Sequence, residues 1–262
     1  MSIKIYVVNA FSDRAFSGNP AGVVLLEKEM DSDILKRIVA ESNLPEISFI
    51  SKIADSNCYN IRWFTSQTEL DICGHGTLGA AHIVLSLYQP HDDEVVFEAA
   101  NQRLCVRRVG ERYVMMLPAI SCEICTDPQE IALVEAAVMP AEKIYKGRSY
   151  VLWLKSKKEV VNFSPDFIKL RQLSLPGIII AAPGDNEDYV CRYFAPQKGI
   201  NEDPVTGTAH CTLAPLFSAV YLKNKLSASQ LSKRGGNIGV EVKGKVIELT
   251  GQAFTAMEIT LF

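Results

Sequence analysis

The sequence predicts an α+β protein built twice, each half a strand-rich shell curled around one enclosed helix. Three observations predict it: an internal repeat, a series of alternating strand-like segments, and two helical runs that are apolar almost all round. The repeat comes first, because a missed repeat misassigns every element after it. Tyr59-Asn60-Ile61-Arg62-Trp63-Phe64 aligns with Tyr189-Val190-Cys191-Arg192-Tyr193-Phe194, half of the 262-residue chain further on. Gly76-Thr77 aligns with Gly207-Thr208 after one inserted residue, and Leu44-Pro45 aligns with Leu175-Pro176 upstream. Each copy then enters an alternating hairpin with a central glycine, Gly110 in one and Gly244 in the other.

Alternation or β-rich runs predict strands over Ile3 to Val8, Ala21 to Leu26, Ile47 to Ile50, Tyr59 to Phe64, Glu94 to Phe97, Leu104 to Val109 and Tyr113 to Leu117. Asp31 to Glu41 opens with capping residues and spaces Ile34, Leu35, Ile38 and Val39 as one face of a surface helix. Thr77 to Tyr88 leaves no polar face wide enough for water, so that helix must be enclosed. Its counterpart, Thr208 to Leu222, shares this character, with Pro215 removing one backbone donor and predicting a kink. The most polar break, Ser121 to Glu130, divides the chain into domains 1–122 and 123–251.

Hydrophobic residues are 48% of the chain and charged residues 22%, the profile of a packed globule. Lys plus Arg number 27 against 30 Asp plus Glu, a formal charge of −3 without a basic run, so no nucleic-acid partner is expected. The most apolar stretch, from Val205 to Leu222, is broken by His210 and Pro215 and reads as a buried helix, so no membrane partner is expected either. Seven cysteines without dense spacing, behind a start that lacks a signal-peptide pattern, predict reduced thiols and a cytoplasmic protein.

The functional residues are sought where the two copies differ. Leu44-Pro45-Glu46-Ile47 becomes Leu175-Pro176-Gly177-Ile178, so Glu46 has no counterpart. Burial beside Ile47, Phe49 and Ile50 would raise its pKa toward values useful in proton transfer, and the alternative is an exposed turn carboxylate. Cys73-Gly74-His75-Gly76 opens the first enclosed helix, where glycines admit a ligand to the backbone and free amides favour an anion such as a substrate carboxylate. The equivalent turn of the second copy offers Asp203, Gly207 and Thr208. A duplicated scaffold of this kind would place its ligand in a cleft between the halves.

The strings FSGNPAGVV (Phe16 to Val24), NLPEISF (Asn43 to Phe49), ELDICGHGTLGAAH (Glu69 to His82) and NEDPVTGTAHCTLAPLF (Asn201 to Phe217) together resemble the phenazine-biosynthesis PhzF-like family, within the diaminopimelate epimerase and proline racemase superfamily. The resemblance implies two pseudo-symmetric domains, each a β-barrel around a central α-helix, a homodimer, and return of the C-terminal strand, residues 252–262, to the first domain. It implies a cofactor-independent isomerase that moves a proton on a small carboxylated substrate. Glu46 is cast as the acid/base, with His75 and Asp203 as orienting and proton-relay groups. Asn19, Cys73, Gly74, Gly76, Gly207 and Thr208 are cast as substrate-binding residues. No P-loop, dinucleotide fingerprint or metal-ligand cluster appears in the sequence, so no metal and no cofactor are expected.

Two alternatives stay open. Epimerases of the superfamily use two thiols, and Cys73 matches the first. The second position holds Asp203, Pro204 and Val205, while Cys211 lies about one turn into the helix. Many PhzF-like members carry Ser before the glutamate, where Pro45 stands here, which leaves the family's prototype substrate unassigned. A noncatalytic small-molecule binder is the other alternative, although binding alone does not call for a carbon base. Cys122 and Cys125 have C-x-x-C spacing with nothing to complete a zinc or redox site. His82 reads as a hydrogen-bonded core residue and His91 as a surface one, with His210 ambiguous.

Overall fold

The computed structural model describes residues 2–262, which fall into two compact units. Unit 1 runs to Met116 and resumes at Leu249, and unit 2 spans Leu117–Glu248. The first crossing thus comes a few residues before the polar break at Ser121. The reason is that Cys122–Ile124 is a strand pairing with Lys143–Gly147, which commits the polar segment to unit 2.

In chain order the elements of unit 1 are β1 (Ile3–Ala10), β2 (Asn19–Leu25), α1 (Ser32–Ser42), β3 (Ile47–Lys52), β4 (Cys58–Phe64), β5 (Glu69–Leu70), α2 (Gly74–Ile83), β6 (Glu94–Ala99), β7 (Gln102–Val109) and β8 (Arg112–Pro118). Unit 2 follows with β9 (Cys122–Ile124), α3 (Pro128–Ala137), β10 (Lys143–Gly147), β11 (Tyr150–Trp153), α4 (Lys157–Asn162), α5 (Phe167–Leu170), β12 (Ile178–Pro183), β13 (Tyr189–Ala195), β14 (Ile200–Asp203), α6 (Gly207–Tyr221), β15 (Lys225–Gln230) and β16 (Gly236–Lys243), and the chain passes back to unit 1 within β17 (Val246–Gly251). The last strand, β18 (Ala253–Leu261), belongs to unit 1 and pairs antiparallel with β1, Ile3 opposite Leu261.

Each unit repeats one strand pattern. In unit 1, β2 runs parallel to β3, β3 antiparallel to β4, and β4 parallel to β6. In unit 2, β11 runs parallel to β12, β12 antiparallel to β13, and β13 parallel to β15. The register is the same in both, Ile47 facing Phe64 and Ile178 facing Phe194. The repeated arginines do the same work. Arg62 makes a forked pair with Glu69 at 2.8 Å twice, and Arg192 pairs with Glu202 at 2.7 and 3.0 Å. Each guanidinium lies over its neighbouring phenylalanine ring, at 4.8 Å over Phe64 and 4.9 Å over Phe194.

The seven strands predicted for the first copy all form, each extended by one or two residues at one or both ends except the second, which starts two residues earlier and ends one earlier. Helix α1 starts from Asp31, whose side chain accepts the Asp33 amide at 2.8 Å, and it buries Leu35, Ile38 and Val39. Ile34, expected on that face, is instead 47% exposed, because the buried stripe is narrower than the apolar spacing. Helix α2 packs against β1, β2, β3 and β18 and is enclosed as expected. Leu78, Ile83, Val84 and Leu85 are fully buried, each contributing about 1.5–3 kcal/mol. The run then changes to a π-helical turn at Val84–Tyr88, whose end, Leu87 and Tyr88, is exposed against expectation.

Helix α6 carries Pro215 in its interior. Proline cannot donate to the Cys211 carbonyl four residues back, and that carbonyl accepts the Ile120 amide at 3.1 Å instead. Among the described residues no helix is long and apolar enough to cross a membrane.

Candidate active site

The chain presents Glu46 through two local signals. Asn43 ends α1 in the left-handed conformation at φ 53°, and Pro45 cannot continue a helix. The Glu46 carbonyl then accepts the Gly22 amide at 3.0 Å, so the residue is held at the start of β3 beside the parallel ladder to β2.

The facing group comes from the first turn of α2. Cys73 is its N-cap, and the sulfur accepts the Gly76 amide at 3.1 Å. His75 follows, its Nε2 in direct contact with Glu46 Oε1, the two side chains only 11% and 13% exposed. The Cys73 sulfur lies 3.7 Å from His75 Nδ1. Glu46, Cys73 and His75 thus converge, with one donor atom of each within 4.8 Å of the others. Thiolate, imidazole and carboxylate together could also hold a divalent ion of the zinc type.

The electrostatics of the triad correct one expectation. Burial does push the Glu46 carboxyl up, but the charge and hydrogen bond of His75, with a further bond from Cys73, outweigh it and leave the pKa below the ordinary 4.5. Burial pushes the His75 imidazole down, and its interactions with Cys73 and Glu46, of which only Glu46 is charged at neutral pH, carry it well above 6.5. Cys73 is pushed up to about 11 by burial and by the Glu46 charge. At neutral pH the triad is therefore a carboxylate, an imidazolium and a thiol.

Gly74 and Gly76 lie in the same turn. A Cβ on Gly76 would come within 2.5 Å of Ser48 Oγ and 2.7 Å of Cys73 Sγ, so only glycine lets the helix approach β3 this closely. Ser48 and Trp63, a cross-strand pair, were not singled out by sequence. Their Oγ and Nε1 atoms are buried with no hydrogen-bond partner among the described residues, an environment that alternation in a strand does not reveal. Asn19 is buried at the first position of β2, opposite Ala10.

In unit 2, Asp203 ends β14 opposite Tyr193, and Gly207 and Thr208 open α6. Thr206 donates to Asp203 Oδ2 at 2.5 Å. The fully buried Gln230 was missed by sequence reasoning. It accepts the Thr206 amide at 2.8 Å and donates to the Asp203 carbonyl at 2.7 Å, clamping the turn.

The remaining candidates are structural. His82 bonds Tyr113 and Thr255, both at 2.9 Å. His210, fully buried, bonds the Tyr189 hydroxyl at 2.9 Å, which settles it as a core residue, and His91 is exposed. All seven cysteines are free, and Cys125 donates to Glu130 at 3.6 Å.

The sequence profile of the family described as phenazine biosynthesis-like protein matches residues 8–259. The chain belongs to that family. It is 35% identical to an uncharacterized isomerase of Pseudomonas aeruginosa over 261 residues, covering 100% of this chain and 99% of the relative. Its fold is that of a PhzF-family protein from Enterococcus faecalis, with a TM-score of 0.94 and 36% identity over 100% of both chains. A hydroxyproline epimerase from Agrobacterium vitis shares the fold alone, at a TM-score of 0.60 and 11% identity over 99% of this chain and 91% of that one. This phenazine biosynthesis-like protein is an isomerase with the mixed α+β fold of PhzF-family proteins.

Proposed function

We propose that this phenazine biosynthesis-like protein moves a proton between two atoms of a small carboxylated substrate without a cofactor, with Glu46 as the acid/base. The observation that carries the reading is the buried pair of Glu46 with His75. A carboxylate that stays ionised at neutral pH can accept a carbon-bound proton at once. One of its oxygens faces His75, and the other takes the proton and returns it at a second position, so the reaction is redox-neutral. The imidazolium orients the carboxylate and stabilises negative charge that develops as the C–H bond breaks.

The free amides of Gly74 and His75, the first of α2, suit a substrate carboxylate. Cys73, Gly76 and Asn19 serve as substrate-binding residues beside them. Asp203, Gly207 and Thr208 are assigned the corresponding roles in unit 2, Asp203 as relay and the other two as donors. A thiol-dependent epimerase is the second reading, favoured by the approach of Cys73 Sγ to His75 Nδ1. Its weakness is the thiol itself, which burial keeps protonated.

The test is solvent deuterium incorporation into a panel of small carboxylic acids, followed by NMR. The wild-type chain exchanges one carbon-bound proton of its substrate, and Glu46→Gln exchanges it at least about 10²-fold more slowly. Equal rates would remove Glu46 from the mechanism.

A further inference from the structure

At the position of unit 2 that matches Glu46, the chain has Gly177, and the structure explains why no side chain stands there. A Cβ on Gly177 would lie 2.6 Å from the Tyr193 hydroxyl and closer still to Ser149 Oγ. Two hydroxyls thus stand where a side chain at this position would begin. They line a cavity of about 50 Å³ together with Thr208, Thr212, Arg148 and Lys198.

The chemistry of this lining is one-sided. Ser149 and Thr212 are more than nine-tenths buried, while Arg148 and Lys198 stand exposed at the mouth. Neither cation has a carboxylate within ion-pair distance among the described residues. The acid acting on Tyr193 is Asp203, and it is already bonded by Thr206. Hydroxyl donors inside and two uncommitted cations outside suit an anion, and the space, roughly three or four water positions, suits one carboxylate group.

We infer that unit 2 carries its own carboxylate-binding seat, built by Arg148, Lys198, Ser149, Tyr193 and Thr208. The duplication has diverged so that one copy keeps an anionic base and the other keeps a cationic, hydroxyl-lined receptacle. That the seat receives a carboxylate of the isomerase substrate rests on the reading above, and the seat itself does not.

The full-length chain is titrated with acetate, acetamide and inorganic phosphate at constant ionic strength, followed by amide NMR. Acetate is expected to shift the amides of Ser149 and Thr208–Thr212 saturably, and acetamide to leave them unmoved. Arg148→Gln/Lys198→Gln, both exposed positions whose folding is checked by spectral dispersion, weakens acetate at least about tenfold. Unlocalised or non-saturating shifts, or undiminished binding by the double variant, overturn the seat. Phosphate saturating at a tenfold lower concentration than acetate overturns the assignment to a carboxylate in favour of a phosphate monoester. None of these outcomes depends on Glu46, so failure of the seat and failure of the isomerase reading are separable.

Discussion

Glu46 and His75 each fix the charge of the other: the carboxylate at the start of β3 meets Nε2 of the imidazole in the first turn of α2, with both side chains nearly out of water. The pair forms because burial alone would neutralise both groups, and contact reverses that preference for both.

Glu46→Gln keeps the shape and removes the charge. His75 then loses the Glu46 share of what holds it protonated, and its pKa is expected to fall relative to the wild type, read from its imidazole NMR signal across pH. The pH dependence of the wild type follows from the same pair. The Glu46 contribution to stability is complete above 4.5 and is lost as pH falls through its lowered folded pKa. The His75 contribution is complete below 6.5 and is lost as pH rises through its raised folded pKa. Activity is expected on a plateau between those two folded values; in the residual activity of Glu46→Gln the acid limb disappears and the alkaline limb moves to lower pH.

Cys73→Ser separates the two reaction classes. With the thiol pushed up to about 11, roughly one molecule in 10⁴ carries a thiolate at neutral pH. A carboxylate-dependent isomerase keeps its turnover within about tenfold in this variant, and alkylation of Cys73 by iodoacetamide at neutral pH is slow. Loss of turnover by about 10³-fold or more would establish the thiol as the base instead.

How much of this was legible in sequence depended on whether a signal was periodic or lay in the surroundings. The repeat matched Tyr59 to Phe64 with Tyr189 to Phe194, and both segments are strands in equivalent places, although the register of their pairing was not legible. Glu46 was legible as an asymmetry, because it stands where the other copy has glycine. Its charge state was not, because burial and His75 act in opposite directions and only the contact distance decides between them. Gln230 was invisible for a similar reason. It ends a strand more than 20 residues from the turn it clamps, and nothing in its neighbourhood along the chain marks it. The π-helical end of α2 was hidden by apolar composition that suits a longer α-helix equally well.

The close approach of α2 to β3 makes a packing prediction. Gly76→Ala places a methyl against Ser48 Oγ and Cys73 Sγ and is expected to destabilise the protein by about 1–3 kcal/mol in urea unfolding. Ser48→Ala removes a buried hydroxyl that has no protein partner, so its cost is expected to be near zero. Combining the two should recover part of the Gly76→Ala loss, because one of the two clashing atoms is gone. Strict additivity of the two changes would show that Ser48 does not bear on the helix.

Two histidines, His210 fully buried and His82 half-buried, set the acid limit of the fold. Burial holds His82 and His210 down to about 4, whereas an unfolded chain protonates them near 6.5. Because the folded pKa is depressed, the stability these groups permit is complete above 6.5 and is lost as pH falls toward 4, where the unfolded chain binds protons that the folded chain refuses. Each shift corresponds to about 3 kcal/mol at the acid end. The unfolding free energy from urea titrations is therefore expected to decline steadily from about pH 7 to about pH 4, by up to two protons per unfolding event. His82→Gln, which can still bond Tyr113 and Thr255, should roughly halve the histidine part of that decline. An unchanged slope would mean that His82 takes up its proton in the folded protein, which its two 2.9 Å bonds inside unit 1 argue against.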